Sequence, residues 1–266
     1  MKRDLKGRRV LLTGASGGIG RCLADQLAQA GACVAVVARQ ADKLNALVQS
    51  LKGHGAEAVA IAADITSAAD RQRAVQTAVE RFGGLDVLIN NAGVGSFAHF
   101  VDSTEEILRQ IMEVNFFAPA ELIRLAIGIL SEGRQPCIVN VASMCGRRGI
   151  PAWSEYSASK FALCGLSEAL RAELVRFSID VLVIVPGLTR SDLGAHLLRN
   201  SGRMKIRFDQ GMPPETVAAG IVRALVANRA ETVLGGEAKW MLRLNRWLPR
   251  IVDRLIARRI RKLYAN

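Results

Sequence analysis

A doubly wound α/β domain, a parallel sheet covered by helices on both faces, is the fold that this 266-residue sequence predicts. Three observations lead to it. Short apolar runs rich in β-branched residues alternate with helical stretches along most of the chain. The runs are continuous rather than alternately apolar and polar, as strands buried on both faces require. A glycine-rich turn separates the first such run from the first helical stretch. Half of the residues are apolar, enough for a large core, and the length suits one α/β unit.

In chain order, RRVLLTG reads as the first strand and GRCLADQLAQAG as the first helix. CVAVVAR and AVAIAAD are the second and third strands, with the helix ADKLNALVQSLKGHG between them. AADRQRAVQTAVERFGG is the third helix, LDVLINNAG the fourth strand, and a helix follows near residues 104–130. CIVNVAS is the fifth strand, a helix covers about residues 155–177, and DVLVIVPG is the sixth strand. A helix opening at PPETVAAGIVRAL leads to a last short strand, ETVLGG. Strand–helix repetition of this kind implies a parallel sheet in one unit.

The five cysteines (Cys22, Cys33, Cys137, Cys145, Cys164) are odd in number and far apart, with no C-x-x-C pair. That argues against a disulfide framework or a zinc site and for a reducing compartment. His54, His99 and His196 lack ligand spacing, so no metal is expected. The N-terminus runs from charges into a short apolar stretch without a cleavage site. No apolar run approaches the roughly 18–20 residues that cross a bilayer. The expectation is a cytoplasmic protein.

Charge divides the chain into a body, residues 1–237, and a basic tail, residues 238–266. The tail holds nine basic side chains against one acid, Asp253, and so carries +8 of the net +12. Trp240, Leu244, Trp247, Ile251, Leu255, Ile260 and Leu263 recur at helical spacing, with Arg243, Arg246, Arg250, Arg254 and Arg258 on a neighbouring face. Pro249 divides the tail into two short helices and stands near the start of the second. Two readings stay open: a basic amphipathic element lying on an anionic membrane surface, which makes the protein peripheral there, or helices packed on the body or on a second subunit. Nucleic acid is not an expected partner, for the chain has no aromatic sheet pattern or helix-turn-helix.

VLLTGASGGIG sets Gly14, Gly18 and Gly20 between strand and helix, where backbone N–H groups and the helix N-terminus meet a pyrophosphate. The second strand ends in VVARQADK, with Ala38 where an acid would bind a ribose 2′-hydroxyl and Arg39 beside it, which favours a 2′-phosphate and NADP(H). YSASK puts the phenol of Tyr156 and the ammonium of Lys160 on one helix face, among small neighbours.

Taken in order, T-G-x-x-x-G-x-G at Thr13–Gly20, N-N-A-G at Asn90–Gly93, Ser143 ending the fifth strand, Y-x-x-x-K at Tyr156–Lys160 and P-G at Pro186–Gly187 resemble the short-chain dehydrogenase/reductase family over about residues 7–236. The resemblance implies a Rossmann-type catalytic domain and hydride transfer between a nicotinamide and a carbonyl or alcohol. Tyr156 is then the general acid in reduction and the base in oxidation, with Lys160 lowering its pKa and holding the nicotinamide ribose. Ser143 donates to the substrate oxygen. Asn115 matches the asparagine that, with a water, links Lys160 to solvent. Ser16 and Ile19 of the glycine loop, Asp64 and Ile65 after the third strand, and Asn90, Asn91, Ala92 and Gly93 line the cofactor site, with Asp64 at the adenine and with Asn90 and Asn91 also tying strand ends together. Pro186, Gly187, Thr189 and Ser191 approach the nicotinamide end.

Two departures stand out. Gly17 occupies the loop slot where relatives preferring NADP often carry a base, and Thr189 replaces an aliphatic residue with Ser191 in the usual threonine slot. Family substrate choice lies after the P-G motif, here about Leu188–Met212, which mixes Leu193, Leu197, Leu198, Met204, Ile206 and Phe208 with Arg199, Arg203, Lys205 and Arg207. Val94, Phe97, Phe100, Met144 and Trp153 suggest an apolar pocket. The expectation is an NADPH-dependent carbonyl reductase of a hydrophobic or lipid-like ketone or alcohol, forming a homodimer or homotetramer through the helices after the fourth and fifth strands. An NAD-dependent alcohol dehydrogenase and a non-catalytic NADP(H)-binding sensor acting through its tail are the alternatives.

Overall fold

Seven apolar runs become strands in the computed structural model, which describes residues 2–190, 192–203 and 206–265. They are β1 (Arg9–Thr13), β2 (Cys33–Ala38), β3 (Ala58–Ala62), β4 (Val87–Asn90), β5 (Cys137–Val141), β6 (Asp180–Pro186) and β7 (Glu231–Leu234). They form one sheet in the order β3-β2-β1-β4-β5-β6-β7, every neighbouring pair parallel. The strand order therefore reverses between β1 and β4, and a crevice opens at the carboxyl ends of the strands there.

Helices α1 (Gly18–Gln29), α2 (Ala41–Gly53) and α7 (Pro214–Val226) cover one face, and α3 (Ala68–Phe82), α5 (Ala118–Ser131) and α6 (Ser154–Glu173) the other. The continuous apolar runs follow from this layering. Val10 and Leu12 of β1 join Leu23, Leu44 and Ile221 in one core, while Leu11 between them joins Val75, Leu122 and Leu130 in the opposite one. By length and composition Glu105–Ser131 could cross a bilayer, but Leu122, Ile123, Ala126 and Leu130 are buried in the second core.

The helix expected near residues 104–130 is not uniform. It begins as α4 (Glu105–Met112), capped by Thr104, whose hydroxyl accepts from the Ile107 N–H at 3.3 Å. A π-helical turn then spans Glu113–Phe117 before α5 starts. Pro119 supplies the reason: it has no N–H for the carbonyl of Asn115, four residues back, so the regular α-helical bond there cannot form.

The tail is seated on the body as α8 (Gly236–Trp247) and α9 (Pro249–Tyr264), with Pro249 at the first position of α9. Leu242 packs against buried Val183, Val185 and Cys164, and Ala238 is itself buried. Arg148, in the loop after β5, donates to Asn245 Oδ1 at 3.0 Å and pairs with Asp253.

One buried ion pair joins the sheet's centre to its flank. Asp86, fully buried, takes the Arg9 guanidinium at 2.7 Å and the backbone N–H groups of Arg9 at 2.9 Å and Arg134 at 2.7 Å. Burial pushes the Asp86 carboxyl up, but these bonds outweigh it and hold the group below its usual range. A depressed carboxyl stabilises the fold above its unfolded pKa of about 3.9 and loses that contribution as pH falls through the folded value. Asp86→Asn is therefore expected to cost about 3 kcal/mol in urea unfolding at neutral pH, with the deficit narrowing below about pH 4. A constant deficit would contradict this assignment.

Candidate active site

Where the sheet order reverses, the two halves of the structure touch through very small groups. Gly14 has φ +69°, and a Cβ on it would lie 2.7 Å from Ala92 Cα. Gly20 has no room for a Cβ against the Gly14 carbonyl. The Thr13 hydroxyl accepts from the N–H groups of Asn91 (3.0 Å) and Ala92 (3.2 Å), and Asn91 Nδ2 donates to the carbonyls of Thr13 and Gly14, both at 3.1 Å. Gly17 caps α1 without a side-chain acceptor, so the first N–H groups of the helix, at Gly18, Ile19 and Gly20, are left for a ligand.

This loop forms one end of an open cleft of about 2640 Å³. Gly14, Ser16, Gly18, Ile19, Gly20, Arg39, Asp64, Ile65, Asn91, Ala92 and Gly93 line it at that end, and Ser143, Tyr156, Lys160, Pro186, Gly187 and Thr189 at the other. A chain of amides, cationic groups after β2 and hydroxyls after β5 suits a dinucleotide's pyrophosphate, adenosine ribose and nicotinamide ribose in turn.

Two of the expected residues are engaged within the fold. Asn90 is buried between strands, its Nδ2 donating to Asn140 Oδ1 at 2.8 Å; it ties β4 to β5, one of the two roles expected of it, but falls on the alternate side of β4 from the cleft and so does not line the cofactor floor. Asn115 is also fully buried. Its Oδ1 accepts from the Val94 N–H at 2.9 Å, and its Nδ2 donates to the Val94 carbonyl (2.9 Å) and to Ser159 Oγ (3.0 Å). The amide is fully engaged, so its side chain braces the loop after β4 against α6. Ser191 lies outside the described residues.

The catalytic set expected from the sequence is close-knit. Tyr156 and Lys160 are both buried on α6, with Nζ 5.7 Å from the phenol ring centroid. Lys160 Nζ donates to the Val141 carbonyl at 3.0 Å. Gly93 leaves this region open: a Cβ there would stand 3.2 Å from Asn115 Oδ1 and 3.5 Å from Lys160 Nζ. Ser143 Oγ accepts from the Cys145 N–H at 3.2 Å, so its hydroxyl proton points elsewhere, to the Tyr156 phenol beside it. Burial pushes the Tyr156 phenol well up, with a hydrogen bond from Ser143 pulling the other way, and lowers Lys160 to about 8. Burial is the largest influence on both groups, and it favours the neutral phenol and the neutral amine.

Beside Tyr156 stands an aromatic wall. Trp153 has its ring centroid 5.3 Å from Tyr156, 5.6 Å from Phe97 and 6.4 Å from Phe208. Met144, Ile150, Leu193, Leu197 and Ile206 pack around it. Phe100, expected in this pocket, is instead 67% exposed in a short 3₁₀ turn, Phe100–Asp102. The segment after Gly187 is stitched down by backbone bonds from the Leu198 N–H to the Gly95 carbonyl (2.9 Å) and from the Phe97 N–H to the Arg199 carbonyl (2.8 Å). Met204 and Lys205 lie outside the described residues.

A sequence model described as short chain dehydrogenase matches residues 8–201. The chain belongs to this family. It is 34% identical over 260 residues to ketoacyl reductase HetN of Nostoc, covering 94% of this chain and 88% of that protein. A solved short-chain dehydrogenase/reductase from Burkholderia phymatum in complex with NAD shares the fold, with a TM-score of 0.85 at 24% identity over 94% of this chain and 96% of that one. A metagenomic short-chain oxidoreductase in complex with NADP gives a TM-score of 0.73 at 27% identity, covering 87% and 98%. This short-chain dehydrogenase is thus an oxidoreductase acting between CH–OH and C=O with a nicotinamide dinucleotide.

The sequence reading passed over Lys43. It lines the same cleft as Arg39 from the first turn of α2, and its spacing of four residues from Arg39 was a visible signal. It also passed over Pro119, whose separation of four from Asn115 marks the interrupted turn.

Lys160 makes a measurable contribution to stability against pH. Its folded pKa is lowered from 10.5 to about 8, so between those values the unfolded chain binds more protons and stability rises with pH. Relative to Lys160→Met, the wild type is expected to gain about 2 kcal/mol in urea unfolding between about pH 7 and about pH 10. A pH-independent difference between the two would place the amine in a solvated site.

Proposed function

We propose that this short-chain dehydrogenase is an NADPH-dependent reductase of apolar ketones. The observation that carries the reaction is the convergence of Ser143, Tyr156 and Lys160 on the cleft that also holds the α1 N-terminus. Bound there, the nicotinamide supplies the hydride in reduction and takes it in oxidation. Tyr156 Oη gives its proton to the carbonyl oxygen, and Ser143 Oγ–H donates to the same oxygen as negative charge develops. Burial keeps the phenol protonated at neutral pH, which suits the reductive direction. Lys160, lowered to about 8, exchanges its proton readily near neutrality and restores the phenol. The main-chain carbonyl of Asn115, to which Pro119 offers no N–H, would hold the water that links Lys160 to solvent, the amide side chain being engaged elsewhere.

The NADP preference rests on Arg39 and Lys43, both on the cleft, after a β2 that ends in Ala38 rather than an acid. Two cations at a 2′-phosphate compensate for the neutral Gly17. The substrate assignment rests on the wall of Trp153, Phe208, Leu193, Leu197 and Ile206, and the likeness to a ketoacyl reductase supports a carbonyl on an apolar chain. A homodimer or homotetramer completes the reading, supported by exposed Phe117 and Leu125 at the α5 side and Phe161 and Val175 at the α6 side.

Tyr156→Phe is expected to lower kcat for an apolar ketone by about a thousandfold while NADPH binding persists; unchanged turnover would remove the tyrosine from the chemistry. Arg39→Ala and Lys43→Ala are each expected to raise the KM for NADPH about tenfold or more and to leave that for NADH nearly unaltered. A wild-type enzyme that prefers NADH would overturn the cofactor assignment and restore the NAD-dependent alternative.

A further inference from the structure

The last two helices carry an apolar surface that the fold does not use. α9 buries Val252, yet Ile251 and Leu255, one turn apart on another face, are 43% and 55% exposed. Leu248 between the helices is exposed as well, and Trp240 and Trp247, two turns apart on α8, are 65% and 78% exposed. Arg243, Arg246, Arg250, Arg254 and Arg258 stand exposed around this surface. The tail's one acid, Asp253, is engaged by Arg148 of the body. Its outward side is therefore apolar and strongly positive at once.

We infer that α8 and α9 dock on the surface of an anionic lipid bilayer, with the tryptophans, Ile251 and Leu255 in the interface and the arginines at headgroup phosphates. Charge decides among the occupants. A second copy would bring two tails of net +8 together, and a nucleic acid would pair the arginines while leaving Trp247, Leu248, Ile251 and Leu255 in water. A bilayer covers the apolar side chains and neutralises the cations together. Trp240 and Arg259 also line the active-site cleft, so docking sets the mouth of the cleft beside the lipid. An apolar ketone then enters from the bilayer; this extension rests on the proposed reaction, whereas the docking does not.

Co-sedimentation of the full chain with vesicles of equal parts phosphatidylglycerol and phosphatidylcholine, beside vesicles of phosphatidylcholine alone, tests the docking. Binding to the anionic vesicles is expected to be about tenfold tighter or more, and to weaken several-fold as salt rises from about 0.1 M to about 0.5 M. Trp247→Ser combined with Leu255→Ser, and Arg250→Glu combined with Arg254→Glu, are each expected to lose about tenfold or more in binding. Both should keep the melting temperature and the turnover of a water-soluble ketone. Equal binding to both vesicles, or variants that sediment like the wild type, would overturn the proposal. So would a full chain left in the supernatant, whether it self-associates through the tail in light scattering or binds duplex DNA instead. A chain that reduces no ketone but binds anionic vesicles through these side chains upholds the docking and rejects the reaction alone.

Discussion

The contact between Gly14 and Ala92 is the constraint on which the rest of the site depends. A Cβ at Gly14 would overlap the backbone at Ala92, and the Thr13 hydroxyl and the Asn91 amide are committed to the same junction. β1 carries the phosphate-binding loop; the loop after β4 carries Gly93 and Val94, which Asn115 braces against α6. Through this junction the dinucleotide end and the proton-transfer end are held in one register. Glycine is required at position 14 twice over, by its positive φ and by the space it leaves.

Burial, more than pairing, sets the behaviour of the catalytic groups. Tyr156 and Lys160 share a helix face but are not hydrogen-bonded to each other; the amine is tied to the Val141 carbonyl instead. Desolvation therefore moves both groups toward their neutral forms, the phenol up and the amine down. The aromatic wall at Trp153 packs against Tyr156 and, in the proposed reaction, is also the surface that an apolar substrate meets. Pocket polarity and proton chemistry are thus two consequences of the same packing.

Much of this was legible in the sequence, because strands buried on two faces leave continuous apolar runs and because the motifs stand in a fixed order along the chain. Tyr156, Lys160, Ser143 and the glycine loop all line the cleft, an arrangement that the family resemblance implied. What was hidden depends on orientation rather than on identity. Asn90 and Asn91 are adjacent, yet the strand's alternation sends one between β4 and β5 and the other to the cleft. The Asn115 amide is consumed by Val94, a contact made across 21 residues that no local pattern reveals. In the tail, periodicity showed one apolar stripe. The structure has a second, with Leu242 and Val252 turned to the body while Trp247 and Leu255 are left outside.

Isotope transfer tests the central claim most directly. With NADPH deuterated at the transferable position and a bulky apolar ketone, a single turnover should place deuterium on the carbinol carbon and yield one NADP⁺ per alcohol. Alcohol without the label, or NADPH bound tightly in the cleft with no ketone reduced, would contradict the assignment of a carbonyl reductase.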